Sequence, residues 1–272
     1  MELLLPLLTG LVVRKSWNMR TVMKLADKVA IITGAGRNIG EDTSKLFASE
    51  GATIAVVDLD RARGEKVAAD IVAAGGKAMG FICDVAKEED IIKCVKDVIA
   101  AFGQIDILIN NAAITDQKNM FDLTVEEWNR VLAITLTSPF LFGKYVAKEM
   151  IARGKGGRMV NVSSTSGYYG RDRATAYAAA KGGVVNLTKS MAIQLAPHNI
   201  RVNAVVPNKI GSPVGKDEVD ASRRVLNLVG RAGVPMDLAR AALFLVSDDS
   251  DFIAATALFV DGGVTAMMPG RA

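Results

Sequence analysis

Tyr177 and Lys181 stand four residues apart in the alanine-rich stretch TAYAAAKGG, and on a helix that spacing places both on one face. A free phenol titrates near ~10, too high for a ready base at neutral pH. A neighbouring ammonium favours the phenolate, so Lys181 is the residue that would tune Tyr177 to take a proton from an oxygen or return one to it. Ser164, at the end of a β-branched run, can hold that oxygen. A buried aromatic beside a solvated lysine would show the same spacing, so spacing alone leaves both readings open.

A second site of potential chemistry lies near the start. The segment TGAGRNIG, Thr33 to Gly40, follows an apolar run and leads into a helical pattern containing Leu46 and Phe47. Glycines in that position let backbone approach a pyrophosphate, and the helix start offers unpaired N–H groups and the positive end of its dipole. A plain tight connection would look alike, and context must decide. Asp58 supplies it, ending the next β-branched run about 20 residues on, where a carboxylate can accept bonds from ribose hydroxyls. A carboxylate there repels a 2′-phosphate, which favours NAD over NADP. Arg37, Arg61 and Arg63 are the counterweight, since any of them can pair with a phosphate.

These residues need elements to carry them. From Lys24 onward, short β-branched runs alternate with helical patterns, the signature of βαβ units and a parallel sheet. The runs predict seven strands: Val29 to Thr33, Thr53 to Asp58, Ala78 to Cys83, Ile105 to Asn110, Arg158 to Ser163, Ile200 to Val206 and Ala257 to Val260. They read as nearly continuous apolar stretches, as buried parallel strands do. Ile91, Ile92, Val95, Val98, Ile99 and Phe102 share one helical face before a stop at Gly103, and Thr124 with Glu127 forms a capping box ahead of Trp128. The 272 residues, half of them apolar, predict one α/β domain with one sizeable core.

In this order the motifs resemble those of the classical short-chain dehydrogenase/reductase family over essentially all of Lys24 to Gly263. The matching pieces are the glycine turn, Asp84-Val85, Asn110-Asn111-Ala112-Ala113, the Ser164/Tyr177/Lys181 set, Pro207 and Asp261-Gly262-Gly263. The resemblance implies a Rossmann-like doubly wound sheet in the order 3-2-1-4-5-6-7, hydride exchange between NAD and a secondary alcohol or ketone, and a homotetramer or homodimer. It further implies cofactor contacts from Gly34, Arg37, Asn38, Ile39 and Gly40, from Asp58 and Leu59, from Asp84 and Val85, and from Asn111, Ala112 and Ala113. Pro207, Ile210 and Ser212 would complete that set, with Ile210 and Ser212 by the carboxamide, while Tyr177 and Lys181 reach the nicotinamide ribose. An NADPH-linked 3-oxoacyl-thioester reductase and a cofactor-binding sensor or scaffold without turnover are the rival readings.

Three departures from the family pattern stand out. Asn38 replaces the middle glycine of the turn, a change that asparagine tolerates because it enters left-handed backbone more easily than most residues, and Ala113 replaces the last glycine of the asparagine motif. Asn208 follows Pro207 where glycine is usual, which predicts a stiffer root for the lid expected at about 208–232. Thr135 stands where an asparagine usually serves a proton relay, and its hydroxyl, able to bond one water, predicts a slower or rerouted proton path.

Composition narrows the remaining functions. A net charge of +4 spread along the chain gives no nucleic-acid footprint. Cys83 and Cys94 form no CxxC pair and no cluster with His198, so no metal site is expected, the cysteines read as small buried apolar residues, and a reducing, cytoplasmic setting fits. His198 reads as a surface residue at a helix end. The apolar run Leu3 to Val13 is shorter than the roughly 20 residues a membrane span takes, and residues 1–23 read either as a loose or artefactual extension or as a segment docking on a membrane surface or partner. Residues 115–120, 168–173, 209–231 and 266–272 are expected to shape the substrate pocket; Lys216, Arg223 and Arg224 would welcome an acidic substrate if they are more than solvated charge.

Overall fold

The computed structural model describes residues 23–216 and 226–267. Most of the expected N-terminal extension, the middle of the expected lid with Arg223 and Arg224, and the end of the tail therefore lie outside the described residues. No described helix is long and apolar enough to cross a membrane.

Seven strands form one parallel sheet in the order β3-β2-β1-β4-β5-β6-β7. They are β1 (Val29–Thr33), β2 (Thr53–Asp58), β3 (Lys77–Ile82), β4 (Ile107–Asn110), β5 (Gly157–Val162), β6 (Ile200–Pro207) and β7 (Ala257–Val260). The order reverses between β1 and β4, and in such sheets ligands bind beyond the carboxyl ends of the strands at that reversal. Among the described residues seven helices carry the crossovers: α1 (Asn38–Ser49), α2 (Arg61–Ala73), α3 (Glu88–Phe102), α4 (Val125–Leu132), α5 (Ser138–Arg153), α6 (Thr175–Leu195) and α7 (Pro235–Val246). A π-helical turn, Ala133–Thr137, joins α4 to α5.

The β-branched runs bury both faces of the sheet. On one face Ile32, Ile54, Val56, Ile109 and Val160 meet Phe47 of α1, Val67 of α2 and Leu238 of α7. On the other, Ile31, Val57, Leu108 and Val202 meet Ile91 and Val95 of α3, Phe142 of α5 and Met191 of α6. Phe47 and Phe142 are wholly buried, and truncating either to alanine would cost about 3–5 kcal/mol.

Two strands depart from the expectation, β3 in its burial and β4 in its start. As the outer strand of the sheet, β3 leaves Met79 and Ile82 nearly half exposed. β4 starts at Ile107 rather than Ile105, because the Asp106 side chain accepts the Val29 N–H at 2.8 Å and pairs with Arg153 at 2.7 Å. The expected helix ends are present: Gly103 closes α3 at φ 77°, and Thr124 and Glu127 exchange backbone bonds of 3.2 and 3.0 Å at the start of α4. His198 is exposed just past α6, and Cys83 and Cys94 are buried and unbridged.

Candidate active site

A cavity of about 930 Å³ opens over the carboxyl ends of the strands. At one end lies the glycine turn. Gly40 is where α1 crosses close over that turn: a Cβ on it would lie 2.2 Å from the Gly34 carbonyl oxygen. No side chain caps the start of α1, whose first residues Asn38 and Ile39 line the cavity together with Gly34 and Arg37. An uncapped helix start facing a cavity fits a pyrophosphate.

Asp58 ends β2 and Leu59 follows it on the same wall, and Asp84 and Val85 follow β3. The Asp58 carboxylate accepts the N–H groups of Gly36 at 2.8 Å and Asp60 at 3.0 Å, which fixes it against the turn while it borders the cavity. Asn111, after β4, donates from Nδ2 to the carbonyls of Thr33 and Gly34, each at 3.0 Å, and so braces the turn from below. Ala112 and Ala113 line the cavity beside it.

Asn38 adopts φ 52°, the left-handed conformation expected of it. Its side chain does more than tolerate that backbone, donating from Nδ2 to Ser212 Oγ at 2.7 Å and to the Ser212 carbonyl at 3.2 Å. Asn208 donates to Thr165 Oγ1 at 2.7 Å, so the segment leaving β6 is tied down at both residues. Pro207, Ile210 and Ser212 border the cavity above the strand ends.

Ser164, Tyr177 and Lys181 converge at the other end, each at most 8% exposed. Ser164 extends from β5 into a short turn, and a Cβ on Gly167 would come within 2.7 Å of the Lys181 backbone, so that glycine lets the turn lie against α6. Ser163 Oγ bonds the Lys181 carbonyl at 2.9 Å on the same contact. Ser164 hydrogen-bonds the Tyr177 hydroxyl. Lys181 Nζ donates to the Val162 carbonyl at 2.5 Å and lies 5.7 Å from the centre of the Tyr177 ring.

Burial pushes the Tyr177 phenol above its ordinary value, opposed by the Ser164 hydrogen bond and by the charge of Arg171. Burial also lowers Lys181 to about 7, so near neutral pH it is divided between ammonium and amine. Without a nucleotide beside it the phenol is thus governed first by desolvation, with the charge of Arg171 acting in the opposite sense.

Thr135 has a structural role as well. It is fully buried in the π-helical turn and lies outside the cavity wall, its hydroxyl accepting the Ile114 N–H at 3.2 Å and donating to the Ile114 carbonyl at 3.1 Å. Through these two bonds it holds Ile114, which does line the cavity. Of the two tyrosines expected in the pocket, Tyr169 borders it, while Tyr168 stacks on Phe259 with ring centres 4.9 Å apart.

Asp116 escaped the sequence reading. Its buried carboxylate accepts the N–H of Tyr177 at 3.0 Å and that of Ala176 at 3.3 Å, capping α6 from a distant loop. Ala174 begins that helix at φ 75° with no side-chain cap of its own, so the first turn relies on Asp116. A carboxylate there also meets the positive end of the helix dipole. Arg130 and Ile134, on α4 and the turn after it, are further cavity residues with no local sequence signal.

Comparison with known proteins follows from this geometry. A family model described as enoyl-(acyl carrier protein) reductase matches residues 34–265. A cyclopentanol dehydrogenase of Comamonas sp. is 40% identical over 248 residues, covering 89% of this chain and 99% of the relative. A cyclohexanol dehydrogenase of Acinetobacter sp. is 37% identical over 243 residues, 89% of this chain and 96% of that one. The crystal structure of a short-chain type dehydrogenase/reductase from Mycobacterium marinum superposes with a TM-score of 0.84 at 32% identity, covering 91% of this chain and 98% of its own.

Proposed function

Because the chain belongs to the short-chain dehydrogenase/reductase family and is an NAD(P)-linked oxidoreductase of alcohols, we propose that it interconverts a secondary alcohol and a ketone with NAD in particular. The observation that carries this is the convergence of Ser164, Tyr177 and Lys181 on the same cavity that Asp58 borders at its far end. Ser164 holds the substrate oxygen, and Tyr177 Oη takes the hydroxyl proton as the carbinol hydrogen leaves as hydride. In the reverse direction Tyr177 returns the proton to the ketone oxygen. When bound, the oxidised nicotinamide supplies the hydride acceptor and a positive charge. Lys181, buried beneath Tyr177, would hold the nicotinamide ribose.

Asp58 supports the choice of NAD, since a fixed carboxylate opposes a 2′-phosphate, and like charges brought together cost several kcal/mol. With cyclopentanol, cyclohexanol and linear secondary alcohols, kcat/KM measured through NADH formation should favour NAD over NADP by about 100-fold. A preference for NADP would instead favour a thioester reductase, the reading that the family model's description and the cavity-lining Arg37 and Arg63 support. Turnover with either nucleotide sets aside a sensor or scaffold without catalysis.

Two further features extend the proposal. Phe140 and Ile151 of α5 and Ile193 of α6 are exposed, which supports a homotetramer or homodimer built on those helices. Sedimentation velocity reads the assembly directly, and a single monomeric species contradicts it. The free, buried cysteines support a reducing, cytoplasmic setting.

A further inference from the structure

The reacting end of the cavity carries two arginines that this chemistry does not use. Arg130, on α4, and Arg171, in the loop before α6, come from separate elements and border the same space as Tyr177. The acidic side chains on the described wall, Asp58 ending β2 and Asp84 following β3, lie at the opposite end. Among the described residues neither arginine is paired with a carboxylate, and the bond of Arg171 to Ser166 Oγ is long at 3.5 Å. Ile114, Ile134, Val264 and Met267 give this end an apolar wall. The Asp116 carboxylate in the adjoining loop is turned to the backbone N–H groups of Ala176 and Tyr177 and is not part of the wall, and an apolar chamber with guanidinium groups at its border is complementary to a short apolar body ending in a negative charge.

We propose that the alcohol substrate carries an anionic group, a carboxylate or sulfonate, received by Arg130 and Arg171 while Ser164 and Tyr177 hold the carbinol. The inference rests on the function proposed above. Arg171 then has two duties, because its charge also acts on the Tyr177 hydroxyl and favours the phenolate. An anion docking on Arg171 dampens that help, and Arg130 shares the load from the other side. Both arginines are exposed, so their attraction is of the screened kind that salt weakens.

The test compares each hydroxy acid with its own amide, which keeps length and shape and removes the charge: γ-hydroxyvalerate and its amide, β-hydroxybutyrate and its amide. At low ionic strength kcat/KM should favour the acid by about tenfold for at least one pair, and the ratio should shrink toward unity as salt is added. The double variant Arg130→Gln, Arg171→Gln should lower that acid-to-amide ratio by about tenfold, chiefly through KM for the acid. An amide used as well as its acid in every pair, or a ratio that the double variant leaves in place, overturns the anionic substrate while the dehydrogenase function stands. Absence of NADH from every acid, amide and neutral alcohol, cyclopentanol included, overturns the function itself.

Discussion

Tyr177→Phe is expected to lower kcat for alcohol oxidation by about 10²–10⁴, the range that a positioned acid or base contributes, with cofactor binding largely preserved. The ring is buried in a cluster with Val131, Ala174 and Ala176, and phenylalanine keeps that volume. What it removes is the oxygen that Ser164 bonds and that exchanges the proton. The loss should fall on kcat and leave KM for NAD nearly in place, since Asp58 and the glycine turn are untouched. The two enzymes should also differ with pH. Burial holds the phenol above its ordinary value, so the reactive phenolate grows as pH rises, and the wild-type oxidation rate climbs with it. The residual rate of the variant lacks that climb. Stopped-flow or steady-state rates across pH, with fluorescence titration of NADH, measure all of this; full velocity in the variant would remove Tyr177 from the reaction.

Asp116→Ala should produce the second largest effect, by a different route. The carboxylate touches no reacting atom but holds the N–H of Tyr177 itself, from the loop whose members Ile114, Thr115 and Gln117 line the cavity. Removing it leaves buried donors unpaired at the start of α6, at a cost of about 1–3 kcal/mol, and the midpoint of thermal unfolding should fall by several degrees. A shift of the helix start by a fraction of an ångström misplaces the phenol, so kcat should drop by about 10–100-fold with KM for the alcohol rising and KM for NAD little changed. Asp116→Asn keeps one acceptor oxygen and should recover much of both losses. If kcat of the alanine variant matches wild type below its unfolding temperature, the cap serves stability alone.

These two residues also mark what the amino-acid sequence discloses. Tyr177 is legible because its partner Lys181 is local, one helical turn away on the same face. Asp58 is legible because strand and turn patterns fix its place at the end of β2, and the strands because β-branched runs have few other uses. Asp116 is not, because the N–H groups it accepts lie far along the chain and a carboxylate in a polar loop resembles any solvated one. The roles of Thr135 and Tyr168 stayed hidden for the same reason: Ile114 and Phe259 become their neighbours only when the chain is folded. The desolvation of Tyr177 is not legible either, because it depends on how deeply α6 is covered, which no periodicity reports.

The bond from Asn38 to Ser212 joins the first crossover of the chain to its last. With glycine at that place the two walls would be free to part, and each arriving dinucleotide would have to draw them together. Here the gap is preset during folding, so the freedom is surrendered once rather than at every encounter. A nucleotide bound there would then meet two walls already held together by this bond.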